Sequence, residues 1–404
     1  MIDLFPPFAP NQTARPRLLT RISEAMRRAN VVTLLGPRQS GKTTLARIYA
    51  QKQTAHTWFD LEDPEDAQRL DSPKRALEGL RGVVVIDEVQ RQPALFELLR
   101  VLADRPERPA KFLLLGSAAP RLIRGVSESL AGRVETIAVS GFELADVGAG
   151  AALAALPNKP STQAQLWLRG GYPRSFLSDS DADSLSWREN YIQTFLERDL
   201  PSMGFSMPPS HAARFWSMLA HHHGGIFNAS ELGRSLDLAH TTVARQLDWL
   251  SSTYVMRLLP PWFENLGKRL VKSPKVYVRD SGLLHALLRI PDSHALLGHP
   301  KLGASWEGFV IEQILARCGE RDAYFYATQS GAELDLLLLR GNRRIGVEIK
   351  FSDAPRSTRS MHVVREDLKL DQLIVIYPGV HSYALGEVAN VMSLNAALEI
   401  LSAL

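Results

Sequence analysis

Some stretches of this chain are apolar at nearly every position, and others only at every third or fourth. Residues 30–35, 82–86 and 111–115 are of the first kind. Such runs of Val, Leu and Ile predict parallel strands covered on both faces. Residues 43–50 predict a helix directly after the first strand. Between 161 and 203, Leu185, Trp187, Tyr191, Ile192, Phe195 and Leu196 recur at near-helical spacing. Residues 211–222 predict a further helix, stopped at Gly224-Gly225. A short helix over 229–236, a turn at 238–239 and a second helix over 241–250 follow, with Val243, Leu247 and Leu250 on the buried face of the second. Residues 255–259 read as a strand. Near the C-terminus, residues 333–339 and 343–351 read as paired strands around Gly341-Asn342.

The order of these elements predicts an α/β chain of four parts: an α/β domain over 14–150, a helical segment over 151–205, a helix-rich module over 206–265 and a second α/β domain over 266–404. Residues 148–161, rich in Ala, Gly and Pro, read as a linker.

The first strand and helix are joined by Gly36-Pro37-Arg38-Gln39-Ser40-Gly41-Lys42-Thr43-Thr44. This is the G-x-x-x-x-G-K-[ST] spacing of a P-loop. Gly36 and Gly41 leave room for backbone N–H groups to approach phosphate oxygens. Lys42 is expected to reach the β- and γ-phosphates, and Thr43 to offer its hydroxyl to Mg²⁺. The second apolar run ends in Asp87-Glu88. Asp87 is expected to hold Mg²⁺, and Glu88 to polarise an attacking water. The third ends at Gly116-Ser117, which places the Ser117 hydroxyl near the γ-phosphate or that water. ATP and Mg²⁺ are therefore the expected cofactors.

The chain has 404 residues, 1 Cys and a net charge of +4. Its length exceeds one ordinary core. With Cys318 alone, an intrachain disulfide framework and a Cys-rich zinc site are excluded. No apolar run reaches membrane-spanning length, and the first residues lack the pattern of a signal peptide. A cytoplasmic location and no membrane partner are expected. The charge is compatible with nucleic acid without demanding it.

The stretches GPRQSGKTT, VVVIDEVQ, LLLGSAAP and SLAGR resemble the ATPase half of a bacterial and archaeal AAA-type family. Its members carry a C-terminal domain of unknown function with a PD-(D/E)XK nuclease-like core. The resemblance continues at Gly170-Gly171-Tyr172-Pro173, at Glu197-Arg198-Asp199-Leu200 and at residues 272–283. It implies that residues 151–205 form a helical lid, from which Arg174 could reach the nucleotide; the other reading of Arg174 is a solvated residue in a turn. Arg133, which ends SLAGR, is a candidate finger for a neighbouring subunit's γ-phosphate. That role needs a homo-oligomer, a hexameric ring being one form. Its other reading is a structural anchor. Arg198, between two acids, reads as a structural ion pair.

The helix, turn, helix and strand over 211–259 have the outline of a winged helix. Its second helix offers His240, Thr242 and Arg245 to DNA. Lys268, Arg269, Lys272 and Lys275 follow as a basic stretch where a wing would lie, suited to a phosphate backbone. His221-His222-His223 reads as a helix C-terminus that favours protonated imidazole.

A two-residue turn at Gly341-Asn342 places Arg340 opposite Arg343, Asp335 opposite Glu348 and Glu333 opposite Lys350, all on one face. Facing carboxylates repel unless a cation lies between them, and a divalent metal would serve. This hairpin resembles the PD-(D/E)XK core, with Glu307 matching the acid on its first helix and Lys350 its lysine. The expectation is an ATPase that couples hydrolysis to DNA remodelling or translocation. The alternatives are an ATP-gated, metal-dependent nuclease and an ATP-dependent signalling or scaffold switch.

Overall fold

A computed structural model describes residues 15–106, 110–117, 128–148, 162–205, 207–263 and 270–403. The chain forms two units, one ending at Ala164 and the other beginning at Gln165. In the first, β1 (Val31–Gly36), β2 (His56–Asp60), β3 (Gly82–Asp87), β4 (Ala110–Ser117) and β5 (Val134–Ala138) form a parallel sheet in the order β2-β3-β4-β1-β5. The three apolar runs are its three central strands. β2 and β5, at the edges, are only partly buried, which is why their sequences carry no continuous apolar run. Leu18, Ile22 and Met26 of the helix Pro16–Arg28 and Leu45 and Ile48 of the helix Lys42–Gln51 belong to one core with Val32, Leu34, Val85, Leu113 and Leu115. Each such side chain contributes about 1.5–3 kcal/mol on burial. In the register of the sheet, Gly36 lies beside Ser117 and Asp60 beside Asp87, so the C-terminal strand ends gather the polar residues.

The second unit begins with helices, among them Thr162–Arg169 at the boundary and Asp181–Thr194, which runs into a π-helical turn at Phe195–Asp199. Next come the helix Pro209–His221, β6 (Gly225–Ile226), the helices Ala229–Leu236 and His240–Ser252, β7 (Met256–Leu259) and β8 (Lys275–Val278). The three strands form an antiparallel sheet in the order β6-β8-β7. Asn228 caps the Ala229 helix by accepting from the amides of Ser230 and Glu231, and Asp237 ends it in the left-handed region at φ 55°. After the helix Leu302–Cys318, β9 (Ala323–Ala327), β10 (Glu333–Arg340), β11 (Arg343–Ile349), β12 (Gln372–Tyr377), β13 (Tyr383–Leu385) and β14 (Ala389–Ser393) make a mixed sheet in the order β13-β14-β12-β11-β10-β9.

Two expectations change here. The segment expected as a lid lies outside the described residues up to 161, and from 165 it is built into the second unit. There the G-G-Y-P and R-D-S-G stretches interlock. Gly170 is left-handed, at φ +77°, and a Cβ on it would come within 2.1 Å of the Asp280 carboxylate. That carboxylate accepts the Gly171 amide at 2.7 Å. The buried Arg188 donates to the carbonyl of Gly282 at 2.8 Å and of Leu168 at 3.3 Å. Arg174 is exposed, and Arg198 pairs with Asp199 at 3.3 Å. The second change concerns His223, which is not a protonated cap. It is buried, its Nδ1 accepts the Val278 amide at 3.0 Å and its Nε2 lies 3.1 Å from the Ala304 carbonyl. Desolvation, with Lys301 adding to it, pushes its pKa down to about 3.

Candidate functional site: a phosphate loop and a carboxylate cluster

The loop after β1 turns at Gln39, at φ 62°, and at Gly41, at φ 90°, before the helix Lys42–Gln51 starts. Gly36 has a use beyond phosphate access: a Cβ there would come within 2.0 Å of the Val139 carbonyl. Lys42 is buried, and its ammonium donates to the carbonyls of Gly36 at 3.1 Å and Pro37 at 2.7 Å. Desolvation lowers its pKa to about 8, against the opposing pull of Glu88 and Asp87. The Ser40 hydroxyl, also buried, has no hydrogen-bond partner among the described residues. A buried hydroxyl left so is costly, which fits a loop that takes up an oxygen-rich ligand.

Thr43 Oγ1 donates to Asp87 Oδ2 at 2.8 Å. This brings together the two residues expected at Mg²⁺. Desolvation raises the pKa of Asp87 to about 6, while the Thr43 hydrogen bond works the other way. Glu88 is left-handed at φ 53°, an uncommon conformation for a residue with a Cβ. Its carboxylate accepts from Gln90 Nε2, which also donates to Ser117 Oγ at 3.0 Å. Sequence reasoning missed Gln90. It stands in the V-V-V-I-D-E-V-Q stretch, but only the fold of the Val89–Arg91 turn brings its amide back to β4. The arrangement offers a buried ammonium, a hydroxyl–carboxylate pair and a second carboxylate held by an amide. That is the donor set a Mg²⁺–nucleoside triphosphate requires.

Arg133 is not brought to this place. It precedes Val134, which pairs with Val31 at the start of β1, whereas the phosphate loop leaves the far end of that strand. Five residues of strand separate the two ends by roughly 17 Å. Arg133 Nε instead binds Asp104 at 2.7 Å, at the surface.

In the second unit, β10 and β11 pair from Leu336 with Val347 to Arg340 with Arg343, the register expected from the turn. Beyond Leu336, Asp335 Oδ2 accepts the Ile349 amide at 2.8 Å. Glu307, Asp335 and Glu348 come together in a buried or nearly buried cluster. Glu348 pairs with Lys350 at 2.6 Å. Desolvation and the Asp335 charge raise the pKa of Glu307 and of Glu348 above the carboxylate range. Lys275 is also here, 2% exposed, with Nζ 3.1 Å from Glu307, 2.5 Å from Glu333 and 3.7 Å from Asp335. The Tyr277 hydroxyl donates to Glu307 at 2.6 Å. Lys275 therefore leaves the basic surface stretch to which the sequence assigned it. Among the described residues, no group of three or more His, Cys, Asp or Glu side chains is arranged to hold a metal ion.

Of the residues expected to face DNA, His240, Arg245 and Lys272 are exposed and Thr242 is half-buried. Lys268 and Arg269 lie outside the described residues. Among the described residues, no helix is long and apolar enough to cross a membrane.

A family described as an AAA domain matches residues 28–147. Two domains of unknown function match the remainder, DUF8612 at residues 161–294 and DUF4143 at 302–397. The uncharacterised proteins Rv2008c of Mycobacterium tuberculosis and Mb2031c of Mycobacterium bovis are each 51% identical to this chain over 367 residues, 91% of this chain and 80% of the relative. Among solved structures, the Walker-type ATPase PABY2304 of Pyrococcus abyssi is similar at 14% identity and a TM-score of 0.49, over 71% of this chain and 99% of that one. The RuvB Holliday junction branch migration motor of Thermotoga maritima is similar at 19% identity and a TM-score of 0.30, over 61% and 90%. Both likenesses are too distant to bear on activity.

Proposed function

The chain belongs to one family with Rv2008c and Mb2031c and carries an AAA domain at residues 28–147, and from that premise we propose that it is a Mg²⁺-dependent ATPase whose nucleotide cycle controls how its second unit holds DNA. The observation that carries the ATPase reading is the hydrogen bond from Thr43 to Asp87, with the Gln90 amide fixing Glu88 and Ser117 beside it. Lys42 and the loop amides of residues 36–44 would hold the phosphates. Thr43 and Asp87 would hold Mg²⁺, which when bound offsets charge on the phosphate oxygens. Glu88 polarises the attacking water, and Ser117 lies where that water or the γ-phosphate is contacted.

The DNA reading rests on the second unit. A helix, a strand, two helices and two further strands in a three-stranded antiparallel sheet are the element order of a winged helix. The helix His240–Ser252 is its recognition helix, presenting His240 and Arg245, with Asp248 as its single acid. Lys272, with Lys268 and Arg269, supplies phosphate contacts. A homo-oligomer, a hexameric ring included, is the assembly in which Arg133 would act across subunits. Its bond to Asp104 favours the anchor role.

An ATP-gated nuclease is the second reading, favoured by the meeting of Glu307, Asp335, Glu348 and Lys350. Lys275 among them weighs against it. Steady-state ATP turnover with and without single-stranded, duplex and branched DNA tests the proposal, with the integrity of labelled DNA followed in the same reactions. Stimulation by one DNA form that stays intact supports it. Turnover indifferent to every form would leave an ATP-dependent switch, and cleavage would favour the nuclease.

A further inference from the structure

The carboxylates of the C-terminal domain present a charge problem, and the chain solves it from an unexpected direction. Glu307 comes from the helix Leu302–Cys318, Glu333 and Asp335 from β10 and Glu348 from β11. The cation among them comes from β8, in the three-stranded sheet. We propose that Lys275 takes the place of a divalent cation in this cluster, making it a closed ion-pair centre that fastens β8 to the six-stranded sheet rather than a metal site for phosphodiester cleavage.

The geometry argues this in three ways. The Lys275 ammonium binds oxygens of Glu307 and Glu333 and lies 3.7 Å from Asp335, so three carboxylates from two elements converge on one positive charge. An ammonium is donor-only, and a metal needing oxygens at about 2.0–2.6 Å would meet it head on. Part of the remaining acceptor capacity is also taken. Asp335 Oδ2 accepts the Ile349 amide, Glu348 is paired with Lys350, and Glu307 Oε1 accepts from Tyr277 as well as Lys275. Finally, Lys275 has no simple way out. It is buried on a strand that pairs with both β6 and β7, so withdrawing it means moving the sheet. Removing it would leave buried carboxylates without their counter-ion, which is strongly unfavourable unless another cation enters.

This inference stands apart from the ATPase reading, because its readouts are metal binding and thermal stability. Mn²⁺ binding to the full chain is followed by the EPR signal of free Mn²⁺, without nucleotide and in an Asp87→Asn background that removes the phosphate-loop carboxylate. Adding Asp335→Asn should change Mn²⁺ affinity less than about twofold, since nothing there holds the ion. Lys275→Met should gain an Asp335-dependent site at least roughly tenfold tighter, and Mn²⁺ should raise its melting temperature. If Lys275→Met does not fold, Lys275→Gln, which keeps length and polarity but not charge, is read the same way. Asp335-dependent Mn²⁺ binding with Lys275 intact would overturn the proposal, and so would a folded Lys275 variant that gains no site.

Discussion

Gln90 Nε2 bridges two strands of the nucleotide sheet, donating to the Glu88 carboxylate after β3 and to Ser117 Oγ at the end of β4, 3.0 Å away. One amide thus fixes both the residue proposed to polarise water and the hydroxyl beside it. Gln90→Ala should lower kcat roughly 10- to 100-fold with little change in KM, because it loosens a group used in the transition state. Glu88→Gln should cost at least as much while nucleotide still binds. An unchanged kcat in Gln90→Ala would mean that Glu88 is held by other means.

The Thr43–Asp87 pair predicts a different signature. Thr43→Ala and Asp87→Asn should each raise the Mg²⁺ concentration needed for half-maximal turnover by on the order of 10-fold, since the first removes a hydroxyl and the second a carboxylate charge expected at the metal. A Mg²⁺ titration of turnover at saturating ATP reads this. Identical Mg²⁺ curves would show that the pair is structural.

Arg133 separates an anchor from a trans finger. Its guanidinium is at the surface, bound to Asp104. An exposed pair of this kind is screened by solvent and contributes little. Arg133→Ala should therefore change ATP turnover less than about twofold at any protein concentration. A loss on the order of 10³-fold would identify a finger instead.

Two buried histidines of the second unit weaken it in acid. His223 and His285 are buried, and desolvation pushes both imidazoles down to about 3. His285 lies 2.9 Å from the Leu168 carbonyl and 2.7 Å from Ser305 Oγ, which ties the Thr162–Arg169 helix to the Leu302–Cys318 helix. Unfolded, each titrates near about 6.5, so below that pH the unfolded chain binds more protons. Their contribution is fully present above about 6.5 and fades as pH falls toward 3, at about 1 kcal/mol per histidine per pH unit. Every tryptophan but Trp58 lies in the second unit, so tryptophan fluorescence follows its melting. Glu307 and Glu348, raised above the carboxylate range by burial, bind protons when folded and work the other way over the same window, so the histidine contribution is read by difference. Between pH 7 and pH 5 the melting temperature of the natural chain should fall relative to that of His285→Gln. A constant difference between the two would contradict the neutral, buried assignment.

What the sequence made legible was chemistry carried by contiguous residues. The phosphate loop must be strand, loop and helix in that order, so its string and its context coincide. The β10–β11 register could be read because a two-residue turn leaves no freedom in parity. The helix at 241–250 could be read from the spacing of Val243, Leu247 and Leu250. Other features depended on partners distant in sequence. Lys275 lies 60 residues before Asp335, and in the sequence it is one more basic residue beside Lys272; only the tertiary fold turns it into the acidic cluster. His223 is likewise a third histidine in a row until Val278 and Ala304 close around it. The periodicity of residues 161–203 showed helices without showing which unit they join. That was decided by Gly170, Arg188 and Asp280, whose meeting no local pattern records.

The central claim is that nucleotide turnover in the first unit answers to DNA held by the second. The most direct measurement is the steady-state ATPase rate against duplex, single-stranded and branched DNA, for the natural chain, for Lys42→Ala and for an Arg245→Ala/Lys272→Ala double variant. Expected is turnover abolished by Lys42→Ala, stimulation by one DNA form, and loss of that stimulation, with basal turnover kept, in the double variant. Stimulation that survives in the double variant, or turnover that ignores every DNA form, would contradict it.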